Sequence, residues 1–256
     1  MLDIGAVLDN NDPTHTPLGP TAPVGKDGSV DRVLVARYAV RETLGLGVMA
    51  AALFWAAGTV DWWAAWAALG VMGAWTVATA VILITRSPGL LADRLGPGPG
   101  AKRWDVAIVS LLGLIQLLRY VVAGLDRRYG WSGHFPSAAL LVSLAVCLLG
   151  YALVAWATAV NPFFSQVARI QPDRGHAVIA TGPYRTVRHP AYAGALLYES
   201  AVCVLLESWP ALALSSLNVV LLVIRTSLED RMLRAELPGY QGYAERVRAR
   251  LIPAIW

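Results

Sequence analysis

Residues 176–194, HAVIATGPYRTVRHPAYAG, crowd two histidines, two tyrosines, two arginines, two prolines and two glycines into one short stretch. Gly182-Pro183 is a turn signal, and Pro190 fits the first turn of a following helix with His189 just before it. His189 would then stand at a helix N-terminus, where unpaired backbone N–H groups favour anions and polar ligand atoms. Arg185 and Arg188 add positive charge near the same place. Further along, Arg225 and Glu229 are four residues apart and share one helix face if the apolar run before them continues as a helix. Each feature also has a plainer reading. His176 and His189 could cap backbone groups in a surface loop, and Arg225 with Glu229 could be an exposed pair contributing a few tenths of a kcal/mol. Tyr240 and Tyr243 read more simply as interfacial packing, and Arg185, Arg231, Arg234, Arg246, Arg248 and Arg250 as facing headgroups or water.

The elements that must position these residues belong to a membrane. The chain has 256 residues, 56% of them hydrophobic and 15% charged, with a mean hydropathy of +0.52; soluble chains carry about 25% charge. Four long apolar runs cover residues 43–60, 62–85, 106–125 and 136–160, each able to cross a hydrocarbon core about 30 Å thick at about 1.5 Å per helical residue. Two shorter runs, 191–206 and 210–224, are separated only by Glu207-Ser208-Trp209 and read as a tight helical hairpin that crosses only if its ends extend. The expected fold is all-α: a polytopic integral membrane protein with four long transmembrane helices, a shorter C-terminal helical hairpin and cytoplasmic C-terminal helices. Gly45, Gly47, Gly70, Gly73 and Gly113 are candidates for close helix packing.

The chain divides into a proline- and glycine-rich tail over residues 1–30, expected to be disordered; a scaffold over 31–160, beginning with a short interfacial helix; and a polar C-terminal region over 161–256 that carries every candidate reactive residue. Pro238-Gly239 should end the helix that bears Arg225, and Tyr240 to Arg250 can form a last amphipathic segment. The N-terminus lacks a basic stretch followed by an apolar one, so no cleavable signal is expected. All Lys and Arg residues except Arg119, Arg127 and Arg128 fall on one side of the runs, which puts both termini and the two long loops in the cytoplasm. Trp62, Trp63, Trp131 and Trp209 mark the opposite boundary. Arg119, within the third run, either snorkels or has an internal partner. The net charge of +4 is too small to suggest nucleic acid. Cys147 and Cys203 lie singly in distant apolar runs, so neither a metal site nor a disulfide framework is expected.

With these residues in view, the chain resembles the integral membrane methyltransferases grouped around isoprenylcysteine carboxyl methyltransferase, related in their C-terminal part to phospholipid N-methyltransferases. The likeness rests on His176, on Gly182-x-Tyr184 with Arg188-His189-Pro190-x-Tyr192-x-Gly194, on the acidic pair Glu229-Asp230 and on Gly239-Tyr240-x-x-Tyr243. It covers about the last 80 to 90 residues well and the first four helices only by topology.

The resemblance implies S-adenosylmethionine as methyl donor, bound without a Rossmann domain in a pocket made by the loop, the hairpin and the C-terminal helix. It places His176, Ala177, Val178, Ile179, Tyr184, His189, Pro190, Ala191, Tyr192 and Glu229 at cofactor-contacting positions and links Arg225 to the acceptor. The family often has paired glutamates where this chain has Glu229-Asp230. Such chemistry asks the protein mainly to align donor and acceptor and to exclude water. Glu229 could take the cofactor's ammonium, Tyr184 and Tyr192 could offer aromatic faces, and Arg225 could hold an anionic acceptor. A carboxylate acceptor, the first expectation, needs no base; an amine or phenol would, with His189 the nearest. Partners are then a lipophilic acceptor and membrane lipids. Two other readings remain open: a membrane reductase of the sterol-reductase type using NADPH, which shares a His-Pro-x-Tyr-x-Gly segment, and a non-catalytic loop that binds anionic lipid.

Overall fold

Asp31 starts the first helix by accepting hydrogen bonds on Oδ1 from the backbone N–H of Val33, at 2.8 Å, and of Leu34, at 3.4 Å, as an N-cap aspartate should. In the computed structural model, which describes residues 31–98 and 100–256, this helix, α1, runs without a break from Arg32 to Ala57. The expected disordered tail lies outside the described residues. The interfacial helix expected before Thr43 is not a separate element. No proline or glycine interrupts residues 31–44, so the basic segment simply continues into the span, and α1 at about 1.5 Å per residue is longer than a hydrocarbon core is thick.

Three further long helices follow: α2 (Trp63–Arg86), α3 (Arg103–Tyr129) and α4 (Ser137–Val160). The hairpin is lopsided. Its first arm, α5 (Pro190–Leu205), is as short as its apolar run. Its second arm, α6, extends from Trp209 to Glu236, well past the last apolar residue of the run. The expected count of four long helices is thereby corrected to five, among the described residues, that are long and apolar enough to cross a membrane. The polar half of α6 stays helical because nothing breaks it before Leu237, which turns extended ahead of Pro238 (φ −103°, ψ 112°), and Gly239 with its left-handed φ of 81° then leads into the next helix. A short last helix, α7 (Tyr240–Arg246), stops before Arg250. Residues 249–250 instead run beside the start of α5, where Arg188 and His189 donate their N–H groups to the carbonyls of Ala249 and Arg250 at 3.0 and 2.9 Å. No strand occurs among the described residues.

The helices pack where their backbones come close, and the sequence spacing does not show where. Gly45, Gly47, Gly70 and Gly113 face open space, whereas a Cβ on Gly150 of α4 would sit 2.7 Å from the carbonyl oxygen of Gly194 in α5. That crossing seats α5, which begins at the polar loop, directly on the scaffold. The common core gathers Leu53, Ala64, Ala68, Met72, Tyr120, Tyr198 and Leu205 from four helices. Arg119 is internal and fully buried. Its Nη1 donates to Glu199, whose Oε2 also accepts from Asn218 at 2.9 Å. Of the four boundary tryptophans, Trp63, Trp131 and Trp209 are exposed, but Trp62 is buried, with the Arg127 guanidinium 5.9 Å from its ring.

Candidate functional site

The start of α5 is fixed from behind by one carboxylate. Asp230 is 1% exposed and accepts from Arg188 Nε and Nη2 at 2.7 and 3.1 Å, from the Tyr240 hydroxyl at 3.0 Å and from Arg234 Nε and Arg250 Nε at 3.2 Å each. His189 Nε2 lies 3.5 Å from the same carboxylate. Arg188 Nη1 donates to the carbonyls of Val247 and Arg248, both at 2.7 Å. Loop, α6, α7 and C-terminal segment therefore meet at a single charge-assisted knot. Asp230 does not line the pocket described below, so the second member of the acidic pair is a structural anchor. Arg234 and Arg250, read from sequence as facing headgroups or water, are partners in that knot.

In front of the knot a pocket of about 740 Å³, its mouth included, opens between the 161–189 loop, the first turn of α5, the polar half of α6 and α7. His176 to Ile179, Tyr184, His189 to Tyr192 and Glu229 all line it. Sequence reasoning missed the wall formed by Asn161, Phe163, Phe164, Val167 and Ala168, and the α6–α7 residues Leu233, Leu237, Tyr240 and Tyr243. Asn161-Pro162 at the end of the fourth apolar run was the available signal for the first group. From sequence the two tyrosines read as interfacial packing, and the structure instead puts both on the pocket wall.

Aromatic faces set the shape of the pocket. His189 and Tyr192 stack with ring centroids 5.7 Å apart and planes 2° from parallel, and His176 packs on Phe163 at 4.7 Å. Tyr184 accepts from Asn161 Nδ2 at 3.2 Å, and its carbonyl receives the Tyr243 hydroxyl at 2.7 Å. Burial raises the Tyr184 and Tyr240 hydroxyls well above the usual phenol range and moves Tyr243 up to about 12, so all three stay protonated and can donate. Burial, helped by Arg169 and Arg174, pushes His176 below the ordinary imidazole value. Its Nδ1 accepts from the Gln171 N–H at 3.4 Å, which leaves the proton of the neutral ring on Nε2.

Glu229 is the carboxylate on the pocket wall, and the Tyr192 hydroxyl donates to its Oε2. Arg225 is not a lining residue. It sits behind Tyr192, its guanidinium carbon 5.0 Å from the ring centroid, and spends its fork on Asp105 of α3, with Nε–Oδ1 at 2.7 Å and Nη2–Oδ2 at 2.9 Å. The expected Arg225–Glu229 neighbourhood exists along α6, but each side chain has taken another partner. An acidic residue near the start of an apolar run was the sole hint of Asp105. The arrangement offers one carboxylate, several aromatic faces and the Tyr184 hydroxyl in one cleft, beside two arginines, Arg169 and Arg188, whose charges are met by Asp93 and Asp230. That set suits a ligand carrying a cationic group and a flat ring.

Residues 139–235 match the isoprenylcysteine carboxyl methyltransferase (ICMT) family. The fold resembles a solved structure described as the eukaryotic intramembrane Ras methyltransferase ICMT without a monobody, with a TM-score of 0.51 and 17% identity, over 82% of this chain and 74% of that one. No curated protein matches the chain.

Proposed function

We propose that this chain is a membrane methyltransferase of the isoprenylcysteine carboxyl methyltransferase kind that its residues 139–235 match, and that it moves the methyl group of S-adenosylmethionine to the carboxylate of a lipophilic, isoprenylcysteine-like acceptor at the cytoplasmic face of the membrane. The observation that carries this reading is the placement of Glu229 beside Tyr192, Tyr184 and His189 in one cleft. S-adenosylmethionine supplies an electrophilic methyl group on a sulfonium. The residues present fit it: Glu229 is placed for an ammonium, the faces of Tyr184 and Tyr192 for the sulfonium or the adenine, and Nε2–H of neutral His176 for a polar edge.

The protein's part is alignment and the exclusion of water. The Asp230 knot fixes the first turn of α5, so that His189 to Tyr192 keep their positions relative to Glu229. Phe163, Phe164, Leu233 and Leu237 supply an apolar lining that keeps bulk water from the transfer. An ionised carboxylate needs no base, so His189 acts here as a wall and not as a proton carrier. Arg225, one layer behind Tyr192, serves the acceptor. The basic segments flanking this end of the helices argue for its cytoplasmic orientation.

Purified protein in nanodiscs should bind S-adenosylhomocysteine by calorimetry and transfer labelled methyl from S-adenosylmethionine to N-acetyl-S-farnesylcysteine in preference to palmitate or phosphatidylethanolamine. Binding of NADPH without S-adenosylhomocysteine would favour the reductase reading instead. Methylation of phosphatidylethanolamine alone would reassign the acceptor.

A further inference from the structure

Three of the five guanidinium N–H groups of Arg225 are committed. Nε and Nη2 form the fork with Asp105, and Nη2 also donates to the Gln166 carbonyl at 2.6 Å. Nη1 makes no hydrogen bond among the described residues, yet it is not a sealed, fully buried atom. The partner that imposes this is Asp105, which is 0% exposed against 8% for Arg225. It lies in the first turn of α3, where the helix dipole favours a carboxylate. Its Oδ2 also accepts the Ala168 N–H at 2.6 Å, which ties down the pocket wall at Val167 and Ala168. Asp105 stands outside residues 139–235 and on a helix whose sequence reads as scaffold.

We propose that Asp105 is a positioning residue for methyl transfer: it orients the Arg225 guanidinium so that Nη1 alone meets an oxygen of the acceptor. The inference rests on the methyltransferase reading above. A guanidinium is planar and its donors are fixed relative to one another, so fixing one edge fixes the direction of the remaining two hydrogens. With the Nε/Nη2 edge taken, the acceptor cannot be held side-on by the same edge. Arg225 makes one contact, which aims a carboxylate without competing with Asp105 for the fork. Asp105 also supplies the counter-charge a buried guanidinium requires. Tyr192, stacked on this cation, connects the aimed group to the wall that faces the donor.

The test is a set of steady-state and binding measurements on Asp105→Asn, Asp105→Glu, Arg225→Gln and the Asp105→Asn/Arg225→Gln double variant. It uses whichever acceptor of the panel the wild type methylates. Asp105→Asn should lower kcat roughly 10- to 100-fold, the size of effect that misplacement of an aligning group has on rate. S-adenosylhomocysteine affinity should stay within about twofold, because an amide oxygen at this position still accepts the Ala168 N–H that holds the pocket wall. Asp105→Glu should recover part of the loss. The double variant should be no slower than Arg225→Gln alone, since Asp105 acts through Arg225. Multiplicative losses in the double variant, an unchanged kcat in Asp105→Asn, or loss of folding in Asp105→Asn while Arg225→Gln folds normally would each overturn the proposal and leave Asp105 a packing residue. If the wild type transfers no methyl group to any acceptor, it is the methyltransferase reading that fails, a result separable from the others.

Discussion

The hydroxyl of Tyr192 donates to Glu229 across the gap between α5 and α6, so the carboxylate proposed to take a ligand's cationic group is already oriented before any ligand arrives. Orientation of this kind reduces the entropy lost on binding. Glu229→Gln removes the charge and should weaken S-adenosylhomocysteine binding by roughly 10- to 100-fold, in line with about 1.5–3 kcal/mol for a charged hydrogen bond. Tyr192→Phe keeps the ring, loses only the orienting bond and should cost less than about tenfold. Calorimetric titration of both variants checks this; equal binding by Glu229→Gln and wild type removes Glu229 from the ammonium contact.

Asp230 and its cations make a prediction about stability that is separate from ligand binding. Asp230→Asn leaves Arg188, 4% exposed, without its counter-charge, and breaking a buried pair in this way costs about 3–5 kcal/mol. Arg234, whose side chain is 40% exposed, contributes at the level of a surface pair, about 0–1 kcal/mol. Thermal unfolding in detergent should therefore show a large drop for Asp230→Asn and a small one for Arg234→Gln. Similar melting temperatures for the two variants would mean that the knot does not anchor α5.

Much of the site was legible in the sequence because its residues are concentrated in one polar loop and one helix turn of an otherwise apolar chain. The Pro190 start of α5 and the Pro238-Gly239 stop of α6 could be read directly from backbone chemistry. What escaped were relationships set by rotation and long-range pairing. Nothing local distinguishes Gly150 and Gly194, which touch, from Gly47 and Gly70, which do not, because spacing does not reveal which helix face meets a neighbour. Arg225 looked like a partner for Glu229 at four residues' distance. It chose Asp105, 120 residues earlier in the chain, because a buried guanidinium is best satisfied by a carboxylate presented edge to edge. The length of α6 was underestimated for a simpler reason: an apolar run marks what lies in lipid, and the helix continues wherever no residue stops it.

His176 should leave a signature in the pH dependence. Its pKa in the folded protein lies below the ordinary value of about 6.5, so the unfolded chain takes up a proton there before the folded one does. The sign follows: stability is unaffected by this group above about pH 6.5 and is lost as the pH falls below it towards the folded pKa. Other groups titrate in the same acid range, so the quantity to measure is the difference between wild type and His176→Gln. Urea unfolding of the two proteins in detergent should run parallel from pH 7 to 8 and diverge below pH 6, with wild type losing more. Curves that stay parallel down to pH 5 would mean that the folded ring accepts the proton freely, and that its tautomer is not held by Gln171.

Inside the helix bundle, Arg119 and Glu199 pair within reach of Asn218 and Ser215, the latter donating to the Glu199 carbonyl at 2.7 Å. The bilayer offers no water to a charge left alone there, so each partner depends on the other. Glu199→Leu alone should destabilise the protein by about 3–5 kcal/mol or abolish its accumulation, because it strands a buried guanidinium. Arg119→Met combined with Glu199→Leu replaces the pair by apolar side chains of similar volume and should restore most of that loss, since forming the ion pair costs nearly as much in desolvation as it returns. Methyl transfer by the double variant should remain near that of wild type, because the network meets α6 at Ser215 and Asn218, about two to three helical turns from Arg225. Fluorescence-detected size exclusion and thermal unfolding of the two single variants and the double variant decide the matter. Additive losses would show that the two residues act independently and that neither is stranded by loss of the other, and a stable but inactive double variant would show that this layer also sets the geometry of the site above it.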